Sequence, residues 1–200
     1  MGGVMTHLLS CLRRVYAATA ILVAAGCTTD LSPEVARQPI GDFRLEHLVV
    51  VVDDPFSPAV SRKTTDAALK AAVEEAVGAR LGRFTGAGSY SIGIKVSGYV
   101  LAPRALPILF APPSQLYLNV LAYDATPERL NAEPRQLIVN ERAGGDTVIG
   151  SGYTQSAEEQ LAELADNAAI EIEKWLRENA DWFVPGPAAP APDAGADSGA

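Results

Sequence analysis

The chain is poor in the side chains that carry most covalent and redox chemistry. Among its 200 residues are two cysteines, Cys11 and Cys27, and two histidines, His7 and His47. Beyond Cys27 no thiol remains for a disulfide, a redox couple or a metal ligand. A nucleophilic triad needs a base, usually histidine, within reach of Ser or Cys. His47 stands alone, flanked by Glu46 and Leu48 in a predicted buried strand, and reads as structural. The stretch "GSYSIG", 88–93, misses the spacing of G-x-S-x-G. "GAGSYS", 86–91, lacks the third glycine of a dinucleotide fingerprint and precedes a strand rather than a helix. Basic residues are also scarce, 16 against 24 acidic ones, for a formal charge of −8. That balance excludes the clustered Lys and Arg needed to hold DNA or RNA.

A long apolar run is missing too. Crossing a bilayer takes about 20 apolar residues, whereas the run from Val15 to Gly26 is shorter and polar "TTD" follows it. What stands there has a different logic. Arg13 and Arg14 precede the run, no acidic residue occurs before Asp30, and small residues lead up to Cys27. A basic segment, a short apolar segment and a small-residue break make a secretory signal. "MGGVMT" matches the N-myristoylation pattern, but an export signal follows it, and "CLRRVYA" lacks the rest of a twin-arginine motif. General secretion is expected.

The break itself, "AAGC" at 24–27, resembles the lipobox of bacterial lipoproteins, with Ala24 where Leu is commoner. The resemblance implies cleavage after Gly26, a diacylglycerol on the Cys27 thiol and acylation of the new amino group; the alternative is ordinary cleavage beside a chance cysteine. At about 0.8 kcal/mol per buried methylene, several acyl chains hold a protein that one chain holds only marginally. Cleavage removes Cys11, His7 and two basic residues, leaving an even more acidic chain. Thr28, with no Asp in its place, resembles lipoproteins forwarded to the outer membrane, where the periplasmic face is the expected location; the inner membrane is the alternative.

Composition divides the rest. Residues 27–42, with two prolines and no sustained periodicity, are expected to form a flexible tether. Residues 184–200, rich in Pro, Ala and Gly, have nothing to bury and are expected to be a disordered tail. Between them, 43–183 has the length of one domain.

Within 43–183 the periodicities are clear. "FRLEHLVVVVDD" is a continuous apolar strand, suited to a central position covered on both faces. From Ser61 to Phe84, Leu69, Val73, Val77 and Leu81 recur every four residues, as in an amphipathic helix. "YSIGIKV" alternates as a half-buried strand, "QLYLNVLAYD" is another, and "RQLIVNERAGGDTVIGSGY" reads as two strands around an "AGGD" turn. Ser156 and Glu159 form a capping box, after which Leu161, Leu164, Ala165, Ala168, Ile172, Trp175 and Leu176 line one helix face. The predicted order is β-α-β-β-β-β-α: an α+β fold with a single mixed or antiparallel sheet of about five strands and two helices packed on it.

Lipobox, tether, strand meander, a turn at Asp124–Pro127 ("DATP") and a closing helix together resemble small envelope lipoproteins of Gram-negative bacteria, some with a domain similar to the N-terminal domain of TolB. Pro127 stands where that turn commonly has Gly. The resemblance implies an envelope role and no particular reaction.

Three features are left as candidate sites. Asp53 and Asp54 end the first strand, where an acid/base or cation role competes with simple strand termination. Trp182 and Phe183 read as helix-end packing. "APRALPILFAPPS", 102–114, is apolar and too proline-rich for a helix or a central strand. Its Leu106, Ile108, Leu109 and Phe110 are the candidate partner-binding residues, unless the segment folds back over the core. The expected function is non-catalytic: a membrane-anchored periplasmic lipoprotein binding another envelope component, such as an accessory subunit of a transport or assembly system, with no catalytic residues, metal or cofactor. A carrier of a small hydrophobic ligand is the alternative, with an apolar cavity as its mark. A hydrolase, needing a cleft around His47 or Asp53, comes last.

Overall fold

The computed structural model describes residue 35 and residues 38–103, 113–141 and 156–184. Cys27, the segment bearing Leu106, Ile108, Leu109 and Phe110, and the strand expected after "AGGD" lie outside the described residues.

The first strand, β1 (Phe43–Phe56), leads into α1 (Asp66–Leu81), followed by β2 (Gly88–Val100), β3 (Gln115–Tyr123), β4 (Arg135–Asn140) and α2 (Ala157–Glu178). A 3-10 turn, Ala180–Trp182, closes the described chain. Helix α1 is shorter than the periodic stretch because Thr65 caps it, its hydroxyl accepting the Ala68 amide at 3.1 Å. Leu69, Val73, Val77 and Leu81 are all fully buried, which makes the four-residue spacing the core face of the helix. Helix α2 begins in the expected capping box: the Ser156 amide donates to the Glu159 carboxylate at 2.6 Å and the Glu159 amide to the Ser156 hydroxyl at 3.0 Å. Two orphan amides of the first turn are thereby satisfied.

The described strands form one sheet in the order β1-β2-β3-β4. β1 and β2 run parallel across the α1 connection, while β2–β3 and β3–β4 are antiparallel. The fold is thus α+β, one mixed sheet with two helices, as the patterning predicts. α1 packs on β1, α2 on β3 and β4, and the helices pack on each other. On that side Ile92, Ile94, Val96, Leu116, Leu118, Val120 and Ala122 are buried against the helix stripes. Each of the Val, Leu and Ile side chains contributes roughly 1.5–3 kcal/mol on burial.

The central placement expected for β1 is corrected. Among the described residues β1 is an edge strand, and only one of its faces is covered: Val50 is buried, whereas Val49 and Val51 are exposed. His47, expected in a buried strand, is exposed as well. The run of four valines supplies both faces of one strand, and the helices reach only one.

The core extends further toward the N-terminus than the predicted tether boundary. Ile40 is fully buried, and the Asp42 amide donates to the Phe183 carbonyl at 2.8 Å. Gly41 between them adopts a φ of 51°, and any side chain there would run into the Phe183 carbonyl. Phe183 in turn meets Phe43 at 5.1 Å and Tyr90 at 4.9 Å, both edge to face. Burial, reinforced by the Asp42 and Asp124 carboxylates, raises the Tyr90 phenol above its ordinary value. Trp182 stacks edge-on against Trp175 at 5.5 Å, so the aromatic end of α2 is packing, as expected.

One charged group is buried outright. Glu173 on α2 has no exposed surface and is gripped by Arg80 (2.6 Å) and Arg83 (2.6 Å) from the end of α1 and by Arg177 (2.7 Å) one turn along. Arg177 also donates to the Gln38 carbonyl at 2.7 Å, and the Arg83 and Arg177 guanidiniums lie over the Phe84 ring. A single carboxylate therefore ties α1, α2 and the entering chain together.

Candidate binding face

The ladder register sorts every strand residue to one side of the sheet. Opposite the helices lie His47, Val49 and Val51 of β1, paired with Ser91, Gly93 and Lys95 of β2. Those three β2 residues face Tyr123, Leu121 and Asn119 of β3, and Tyr117 and Asn119 face Ile138 and Gln136 of β4. No described element covers this side. Val49 is 56% and Val51 47% exposed side by side on β1, and Ile138, at the far edge on β4, is 60% exposed.

At the centre of the open face is a shallow groove of about 500 Å³, lined by Val49, Val51, Gly93, Leu121, Lys95 and Pro134. Gly93 makes it: a strand residue without a side chain leaves its neighbours' flanks bare. Lys95, an exposed residue, is the one cation of the lining. A second groove of about 490 Å³ lies between the β3–β4 connection and the end of α2, lined by Pro134, Arg135, Gln136, Trp175 and Trp182 among others. Its Asn131 is committed to structure, donating to the Val120 and Glu133 carbonyls and accepting the Ala122 amide.

The sequence candidates fall as follows. His47, Asp53 and Asp54 are all on β1 and all exposed. Among the described residues none has a hydrogen bond or ion pair to another side chain, and no cleft brings them together. Asp54 has a φ of 45°, where a short polar side chain is better tolerated than a branched one; it does not end the strand, which runs on to Phe56 past a register shift after Val52. The roots of the 104–112 segment are firmly held: the Leu101 amide donates to the Ser61 hydroxyl at 2.9 Å and the Ala102 amide to the Ser114 hydroxyl at 3.1 Å. Both roots stand at the end of the sheet opposite the Ile40–Phe183 pole.

The Asp124 turn forms. One carboxylate oxygen accepts from the Thr126 amide and hydroxyl, both at 2.8 Å, and from the Glu128 amide at 2.9 Å. These bonds, the Thr126 hydroxyl foremost, hold the Asp124 carboxyl below its ordinary range. The geometry is that of a turn brace on an exposed connection.

Among the described residues no helix is long and apolar enough to cross a membrane, and no three His, Cys, Asp or Glu side chains gather as a metal site. The chain matches no family of known proteins and no curated protein. Among solved structures, it is similar to a protein designated a lipoprotein from Caulobacter crescentus CB15, at 12% identity and a TM-score of 0.33, over 70% of this chain and 93% of that one.

Proposed function

We propose that this is a non-catalytic lipoprotein of the bacterial envelope, held at the periplasmic face of the outer membrane by acyl chains on Cys27, that binds another envelope component through the open face of its sheet. The observation that carries the anchor is "AAGC" behind a basic segment and a short apolar run. What supports binding is the uncovered apolar face of Val49, Val51, Leu121 and Ile138, set against a core whose strand and helix side chains are fully buried. An exposed apolar patch fits a protein contact better than an enclosed ligand. The anchor confines the domain to a surface and raises its effective concentration for partners there. An accessory subunit of an envelope transport or assembly system is the special case this reading favours.

The experiment is fractionation and intact mass of the natively expressed chain beside Cys27→Ser, with a photo-crosslinking residue at Leu121 and, separately, at Phe110. Acylated wild type in the outer-membrane fraction, an unprocessed variant and a Leu121 adduct support the reading. An unlipidated soluble wild type overturns the anchor, and no adduct from either position overturns the partner.

A second reading, a carrier for a small hydrophobic ligand, draws on the apolar groove with Lys95 in its lining. It expects a long-chain carboxylate to bind the purified chain, and Lys95→Glu to abolish that binding.

A further inference from the structure

The open edge of β1 carries an inference that is independent of the lipid anchor. β1 stands at the end of the sheet, and among the described residues nothing pairs with its outer side. Natural edge strands are guarded by charge, proline, bulges or a covering element, because a free ladder edge recruits another strand. β1 is guarded only at its ends. Register shifts fall between Leu45 and His47 and between Val52 and Phe56, Asp54 has its positive φ, and Pro55 follows. Between these, "HLVVVV", 47–52, keeps an unbroken register with Ser91–Val96 and contains no carboxylate, lysine, arginine or proline.

The two flanks of that window differ. On the core side Val50 is buried, and Leu48 and Val52 are partly buried against the core, Leu48 beside Gly78 of α1. On the open side Val49 and Val51 are exposed. A strand laid along the edge would cover both flanks as well as the unpaired main chain.

The charges at the two ends identify the strand. Arg44 lies next to the start of β1, and Asp53 with Asp54 lies in the irregular stretch just before its end at Phe56. The Arg44 guanidinium donates to the Ser89 hydroxyl, and among the described residues it has no carboxylate partner; neither aspartate has a cationic one. A second β1 laid antiparallel about Val49 sets Val49 across from itself, Leu48 across from Val50 and His47 across from Val51. Core-side residues then meet core-side residues, as a shared sheet requires. The same register brings Arg44 of each copy to the Asp53–Asp54 end of the other, at both ends at once. Parallel self-pairing would instead set like charges side by side.

We propose that two copies of this chain pair antiparallel along His47–Val52, joining their sheets edge to edge into one continuous sheet. The arrangement is isologous, the commonest symmetry of protein dimers. It also merges two open faces, so that the grooves beside Val49 and Val51 become neighbours on one surface.

The test uses the full chain with both native cysteines replaced by serine and a single new thiol. In the proposed register, Val49→Cys places two thiols on directly opposed residues with Cβ atoms about 5 Å apart, near disulfide reach. Ile138→Cys, equally exposed but on β4, is the control. Mild oxidation followed by non-reducing electrophoresis is expected to give a covalent dimer with Val49→Cys and not with Ile138→Cys. Adding Arg44→Asp is expected to abolish that dimer, and adding Asp53→Arg and Asp54→Arg as well to restore it. Circular dichroism of each variant separates loss of pairing from loss of fold. Equal dimer yields from both thiols, or a Val49→Cys dimer indifferent to the charge reversal, overturn the proposal. Capture of Val49→Cys by a different protein in cells, with no homodimer, assigns the edge to a foreign strand and overturns it too.

Discussion

Val49 on β1 lies directly across the parallel ladder from Gly93 on β2, so the open face has a hollow where two side chains would otherwise touch. A Cβ added at Gly93 meets the Tyr123 ring at 3.7 Å and Leu121 Cβ at 3.9 Å, which is ordinary contact. Gly93→Ile is therefore expected to fill the groove while leaving the domain as stable or up to about 1 kcal/mol more so, because strand-interior glycine is itself unfavourable. Urea denaturation reads the stability. Loss of the Leu121 photo-adduct, at unchanged membrane fractionation, reads the binding. A stable Gly93→Ile variant that keeps the adduct would place the contact elsewhere.

Glu173 behaves as a keystone. Removing its charge leaves Arg80, Arg83 and Arg177 facing one another without a counter-ion, and breaking a buried ion pair costs about 3–5 kcal/mol. Glu173→Gln is expected to lose an amount of that order in chemical denaturation. Arg83→Ala, at a position 38% exposed, is expected to lose no more than about 1 kcal/mol. The reverse ranking would show that the cluster is not centred on the carboxylate.

At the start of α2, Ser156→Ala removes the acceptor for the Glu159 amide and the reciprocal geometry with it. The expected cost is about 1 kcal/mol, seen as a lower denaturant midpoint with an unchanged slope. A neutral outcome would mean that the first turn is held by tertiary contacts alone.

Acid should loosen the Asp124 turn, and the sign is fixed by its depressed carboxyl. The folded chain holds the charged form more tightly than the unfolded chain does, so the contribution is present above the ordinary Asp value of 3.8. It disappears as pH falls through the lower, folded-state value. Between neutral pH and that acid window, wild type is expected to be more stable than Asp124→Asn. Below the window the difference should vanish. Melting temperatures of the two proteins across that range check it, and parallel curves would exclude the brace.

Much of this architecture is legible locally. The four-residue apolar spacing of α1, the Ser156–Glu159 box and the strict alternation of "YSIGIKV" each depend on neighbours within a few residues, and each takes the expected form. The position of β1 does not. A run of valines has the same local pattern whether two layers cover it or one, and the difference lies in the strand order set by the α1 crossover. With β2 central, β1 is left at the rim and half its valines in the open. Glu173 was hidden for a related reason. Along α2 it reads as one more acidic residue, and only α1 packing beside it brings Arg80 and Arg83 to its carboxylate. The groove assembles Val49, Gly93 and Leu121 from three strands; its one local signal is a glycine in the middle of an alternating strand.

The hydrogen bond between the Asp42 amide and the Phe183 carbonyl has a further consequence. The polypeptide enters and leaves the domain through a single doorway, with Gly41 and Phe183 as its jambs. A module built this way can be spliced into the middle of a host chain as readily as it is mounted at an end, since bridging its entrance and exit needs only a short linker. Circular permutants that join those ends and open elsewhere should keep the same core. The fold is closed in space although the chain that makes it is linear.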